Sequence, residues 1–196
     1  MKKAILIGTV ALAMAGSPAF AQKKQTKTSA PAAAKQPSDQ KFVMEAAKGG
    51  MAEVELSKLA QDKASSDQVK NFGKRMVDDH GKANDELQTL AKNKNITLPT
   101  DLDPKDKALK DRLSKLSGAA FDRAYMNAML RDHRKDVNEF KMESTSGRDA
   151  DVKAFASKTL PTLEDHLKLA QQTEKAVGTT GTAKSSKKVG TGGVRK

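Results

Sequence analysis

Apolar positions between residues 41 and 177 recur every three or four residues in four long runs, with no strand-like alternation. This period predicts amphipathic helices, each with one apolar stripe. The first spans about Gln40–Lys63, capped by Ser38 or Asp39, along a seam of Phe42, Ala46, Gly49, Glu53, Leu56 and Ala60. The second spans about Ser66–Lys92 along Val69, Gly73, Met76, His80, Ala83, Leu87 and Leu90, with Phe72 alongside. Ser65 and Gln68 form a capping-box pattern before it. Asp103-Pro104 suits a cap and first-turn proline for a short helix over Pro104–Leu116. Ser117-Gly118 then breaks the chain. The third long helix spans about Ala119–Glu143, with Phe121, Tyr125, Met129, His133, Val137 and Phe140 on one face. After a break at Ser146-Gly147, the fourth spans about Ala150–Ala176 along Val152, Ala156, Thr159, Leu163, His166, Ala170 and Thr173. Pro161 lies inside it and is expected to kink it.

Long amphipathic helices joined by short connections pack as an antiparallel four-helix bundle, so the predicted fold is all-α. Val69-Lys70-x-Phe72 near the start of the second helix recurs as Val152-Lys153-x-Phe155 in the fourth, which agrees with two related hairpins. Gly49-Gly50 falls mid-helix, where each glycine costs up to about 1 kcal/mol. A close approach by a neighbouring helix backbone would offset that cost.

Four polar residues interrupt the apolar seams. The chain has three histidines, His80, His133 and His166, each preceded by an aspartate (Asp79, Asp132, Asp165) and each near the middle of its helix. Glu53 interrupts the first seam at a similar depth. One such residue per helix places all four at one level of an up-down bundle. In one reading, Glu53 and the imidazoles bind a divalent first-row transition metal such as zinc, copper, iron or manganese. The aspartates would then orient rings by accepting their second N–H, each serving a neighbouring helix rather than its own. In the other reading, the four form a buried hydrogen-bonded network, with Glu53 paired to protonated imidazoles, that sets helix register. A di-iron carboxylate centre is not indicated. It needs Glu-x-x-His, and Val77, Leu130 and Leu163 stand at those positions. Tyr125 reads as a core residue with its hydroxyl near the polar layer. Met76 and Met129, each four residues before a histidine, read as core filler.

Charge changes the picture mainly at the ends. The 196 residues carry a formal net charge of +12, with 36 Lys and Arg against 24 Asp and Glu. Residues 1–21 have the pattern of a cleaved secretion signal: Lys2 and Lys3, the apolar run Ala4–Gly16, and Ala19-Phe20-Ala21 before the cut. That run is too short to span a bilayer. Residues 22–39 and 178–196 are basic and lack periodicity, so both are expected to be disordered. The bundle, over 40–177, is then close to neutral. The tails lack aromatic residues to stack on bases, which argues against nucleic acid as a partner. Peripheral contact with an anionic envelope surface remains an expectation for them. With no cysteine, a disulfide scaffold, a thiolate metal site and a lipid-modified N-terminal Cys are excluded. No P-loop, Rossmann glycine pattern or nucleophile elbow is present.

Several stretches resemble one bacterial family. They are FVMEAAKGGMAEVELSKLA over residues 42–60, Val69-Lys70-x-Phe72 with Met76 and Asp78-Asp79-His80, Phe121-Asp122-x-Ala124-Tyr125-Met126 with Asp132-His133, and Thr159-Leu160-Pro161-Thr162-Leu163 with His166-Leu167. Together they are similar to domain-of-unknown-function family 4142 (DUF4142), over about residues 40–175. The resemblance implies an exported, ferritin-like bundle; members often carry an outer-membrane label. It implies no activity, but the matched positions include Glu53 and all three histidines. The outer-membrane label fits poorly, since the chain lacks barrel-like alternation and a spanning helix. The expected function is therefore that of an exported periplasmic or envelope bundle, binding a divalent metal at its Glu/His layer and serving envelope stress or maintenance. The alternatives are a metalloenzyme acting on a small oxidant or substrate there, and an interaction module tethered by its basic tails.

Overall fold

The computed structural model describes residues 39–186, with side chains as far as Gly178. The signal expected over 1–21, the linker up to residue 38 and residues 187–196 lie outside the described residues. Five helices are present among the described residues: α1 (Asp39–Lys63), α2 (Asp67–Asn93), α3 (Pro104–Ser114), α4 (Gly118–Ser146) and α5 (Ala150–Ser186). None is long and apolar enough to cross a membrane.

The predicted helices are all present, and the differences lie at their ends. α5 does not stop near 177 as expected but runs on to Ser186. The only helix breakers in its last turns are Gly178 and Gly181, which weaken a helix without ending it. Pro161 likewise lies inside α5 without interrupting it. Asp103 caps α3 as expected, accepting from the amides of Lys105 and Asp106.

The expected capping box of α2 does not form. Ser66, not Ser65, is its cap residue, and no side chain of its own closes the helix start. Asp122 of α4 takes over: its carboxylate accepts from Ser65 N, Ser65 Oγ and Ser66 N at 3.0, 2.6 and 3.1 Å. A tertiary carboxylate satisfies more free amides than Gln68 could. Of the two caps expected for α1, Ser38 lies outside the described residues; Asp39 is that helix's first residue, and its carboxylate accepts from the amides of Arg148 and Asp149 ahead of α5.

These contacts fix helix direction. The α1–α2 junction meets the start of α4, and the start of α1 meets the start of α5. Lys94, just past α2, pairs with Asp149 and Asp151 at that second end. α1 packs most extensively on α2, and α4 on α5; the α1–α4 and α2–α5 contacts are thinner, and α3 packs on α1 and α4.

Two apolar clusters fill the bundle. One holds Leu56, Val69, Phe72, Met76, Leu113, Phe121, Tyr125 and Met129. The other holds Phe42, Val43, Leu87, Phe140, Val152, Phe155 and Leu163. Each large side chain buried this way contributes roughly 1.5–3 kcal/mol. The recurring Val-Lys-x-Phe segments therefore serve opposite ends. On each of α1, α2, α4 and α5, the polar residue falls between positions belonging to the two clusters. The glycine at which helix backbones meet is Gly73, where an added Cβ would lie 3.0 Å from the Ser57 carbonyl of α1.

Candidate metal centre

Glu53, His80, His133 and His166 are all buried, although charged and imidazole side chains rarely are. Helix period explains the placement: each occupies a core-facing position of its own helix. The three imidazoles cluster, with ring centroids 5.2–5.5 Å apart. One ring nitrogen from each lies within 4.8 Å of those of the other two.

Two of the rings are held by a hydrogen bond on one side, and the third faces a carboxylate. His133 Nδ1 donates to the carbonyl of Met129, one turn back, at 2.9 Å. His166 Nε2 donates to Asp79 Oδ2 at 2.9 Å. His80 Nδ1 faces Glu53 Oε2 at 3.0 Å, and His133 Nδ1 also lies 3.2 Å from Glu53 Oε1. On the other side, His80 Nε2, His133 Nε2 and His166 Nδ1 are buried with no hydrogen-bond partner. In a neutral imidazole the nitrogen opposite the N–H carries a lone pair. The partners of His133 and His166 thus assign those tautomers and leave their free nitrogens as acceptors.

Electrostatics favours the neutral rings. Burial pushes the His80 imidazole well below its usual range, and the neighbouring His133 and His166 push the same way. Burial and His166 lower His133 to about 4, against the bond to Met129. Burial also lowers His166, opposed by Asp79. Burial raises the Glu53 carboxyl, and the nearby Asp136 and Asp132 raise it further. Burial raises Asp79 too, but bonds from His166 and Arg75 outweigh it and leave that carboxyl below its usual range.

The structure brings all four seam residues together. The three histidines form the nitrogen cluster, and Glu53 sits against the Nδ1 edges of His80 and His133. Among the paired aspartates, Asp79 orients a ring, and on a neighbouring helix as expected. Asp132 and Asp165 make no hydrogen bond to a histidine; Asp132 is half-buried near Glu53 and Asp165 is exposed. The network reading pairs Glu53 with protonated imidazoles; its oxygens lie 3.0 and 3.2 Å from His80 Nδ1 and His133 Nδ1, while burial holds both rings toward the neutral form. Tyr125 is a core residue as expected, its hydroxyl 2.7 Å from Ser57 Oγ.

Sequence reasoning missed two polar residues beside this layer, Asn84 and Asp136. They follow His80 by four residues and His133 by three, so helix period places each on its histidine's face. A search of the residues after each histidine, as well as before, would have found them.

Known proteins agree with the fold. The chain has no match among curated proteins. A DUF305 protein from Streptomyces coelicolor superposes with a TM-score of 0.61 at 15% identity, covering 72% of this chain and 95% of its own. A DUF305 fragment from Deinococcus radiodurans gives 0.60 at 15% identity, covering 76% and 99%. CopM in its Cu(II)-bound form gives 0.61 at 16% identity, covering 72% and 98%. The family profile that matches is the domain of unknown function DUF4142, over residues 23–173, and the chain belongs to that family.

Proposed function

We propose that this protein is an exported metal-binding bundle that holds a divalent first-row transition ion through His80, His133 and His166. One observation carries the reading: three buried imidazoles bring one ring nitrogen each to within 4.8 Å of one another, and each ring has a buried nitrogen without a hydrogen-bond partner. Buried polar atoms without partners are costly, and a metal ion relieves three at once. Three imidazoles with room for a further ligand suit zinc or copper. Donors about 2.0–2.1 Å from an ion stand closer together than 4.8 Å, so the rings would draw in on binding. Glu53 and Asp79 would serve from outside, orienting rings and offsetting the ion's charge.

Cu(II) is the first ion to test. It heads the divalent affinity order for nitrogen ligands, and CopM, of similar fold, was solved with Cu(II). Export is supported by the signal pattern over residues 1–21 and by the Streptomyces coelicolor neighbour, described as a candidate secreted protein. A role in metal handling during envelope stress follows from that address.

The test is metal analysis and calorimetric titration of untagged protein with Cu(II) and Zn(II). One ion per chain is expected in the wild type, and loss of that ion in His133→Ala. Unchanged metal content in His133→Ala would overturn the reading.

A further inference from the structure

A cavity of about 20 Å³ lies beside the histidine layer, lined from all four long helices. Its polar lining is Glu53, His80, Asn84, Asp136 and Thr159; Phe140 and Phe155 are among its apolar residues. About one water, or one ion of that size, fits such a space.

The polar atoms here are oxygen-rich and short of donors. Glu53 is 2% exposed, and its oxygens make no hydrogen bond, although they lie 3.0 and 3.2 Å from His80 Nδ1 and His133 Nδ1. The Asp136 side chain is 13% exposed, and its cationic neighbour, Lys135, lies 3.7 Å away. The Thr159 hydroxyl already donates to the Phe155 carbonyl at 2.8 Å, so its oxygen is free only to accept. Asn84 carries its amide across Gly50, where any Cβ would collide with Asn84 Oδ1. The glycine thus makes room for that amide beside the two carboxylates.

We propose that this cavity is a second cation site, in which Glu53, Asn84, Asp136 and Thr159 supply oxygen donors to a small hard divalent ion such as Mn²⁺ or Mg²⁺. Carboxylate, amide and hydroxyl oxygens suit such ions, as imidazoles suit copper and zinc. Two carboxylates balance the ion's charge, and no histidine nitrogen is required. The two sites meet at Glu53, but only the imidazole centre needs a histidine nitrogen.

The probe is Mn(II) alone, added to metal-free protein and followed by the loss of its free-ion electron paramagnetic resonance signal. The wild type and His166→Ala, which removes an imidazole ligand without touching Glu53, should bind one Mn(II) alike. Asp136→Asn should weaken binding by about tenfold or more, a loss of the size seen when metal-site partners are removed. A thermal melt establishes that Asp136→Asn is folded; if it is not, Thr159→Val decides in its place. Three results would overturn the site: no Mn(II) binding by the wild type, undiminished binding in the deciding variant, or loss of binding in His166→Ala. Failure of copper or zinc binding with Mn(II) binding intact would sink the imidazole reading alone.

Discussion

Asp79 on α2 and His166 on α5 are joined by a 2.9 Å hydrogen bond from the imidazole Nε2 to the carboxylate. The bond spans the thinly packed α2–α5 side and leaves His166 Nδ1 as the free nitrogen. Arg75 supports the same carboxylate oxygen from one turn back, at 3.3 Å. Removing an oxygen partner of a metal-ligating imidazole typically costs about 10–100-fold in affinity. Asp79→Ala should therefore weaken Cu(II) or Zn(II) binding by about that factor, read in a chelator competition, while the far-ultraviolet spectrum stays helical. Asp165→Ala, at an exposed position beside the same histidine, should leave affinity unchanged. Equal affinities in both variants would remove Asp79 from the centre.

The contrast between Asp79 and Asp165 shows where sequence reading stops. Each precedes a histidine, and the two dipeptides are identical. Periodicity made the helices legible because long amphipathic runs dictate which face is buried. It made the polar layer legible because Glu53, His80, His133 and His166 each break an apolar seam. It could not say which ring nitrogen faces which oxygen, because side-chain rotation decides that. Hence it could not say that Glu53, expected among the ligands, faces the Nδ1 edges of His80 and His133. The helix starts were harder still. Gln68 lies at capping-box spacing, yet Asp122, distant in sequence, reaches the Ser65 and Ser66 amides once the helices pack.

Asp122 is 2% exposed and accepts three hydrogen bonds at the α1–α2 junction. Deleting the carboxylate would remove the partner of two backbone amides and one hydroxyl on the exposed Ser65 and the half-buried Ser66. Water can reach these donors, so Asp122→Ala should cost about 1–2 kcal/mol, the range for losing a helix-start cap. For a bundle of this size that lowers Tm by roughly 2–4 °C per kcal/mol. Asp122→Asn, which keeps one acceptor, should lose less. A Tm within one degree of wild type for Asp122→Ala would show that the junction is held by packing alone.

Glu143 supplies a pH signature away from the metal centre. It is 5% exposed, and its carboxyl is raised to about 7 by burial first, then by the charge and hydrogen bond of Asp39 and the charge of Asp149. Between the ordinary glutamate value of 4.5 and about 7, the folded state binds a proton that the unfolded state has released. Stability from this group is full below that window and falls as pH rises through it. Glu143→Gln keeps the shape without the charge and can still donate to Asp39. It should match wild type near pH 5 and exceed it at pH 8, by on the order of 1–3 kcal/mol. Thermal melts at both pH values check this, and an equal difference at each would rule out Glu143 as the source.

Two helix glycines on α2 should respond oppositely to the same substitution. At Gly73 an added Cβ would meet Ala60 Cβ at 2.9 Å and the Ser57 carbonyl oxygen at 3.0 Å. Both belong to α1, and a backbone oxygen cannot swing aside as a side chain can. Gly73→Ala should force α1 and α2 apart and cost about 1–3 kcal/mol, the usual penalty for overpacking. At Gly81 the same Cβ meets nothing within 4 Å, and the residue is mid-helix. Gly81→Ala removes backbone freedom from the unfolded chain without a clash, so it should stabilise by roughly 0.5–1 kcal/mol. Urea unfolding midpoints should move in opposite directions for the two variants. A Gly73→Ala protein as stable as wild type would mean that the α1–α2 contact relaxes around a methyl group, and that glycine is not needed where the two helices meet.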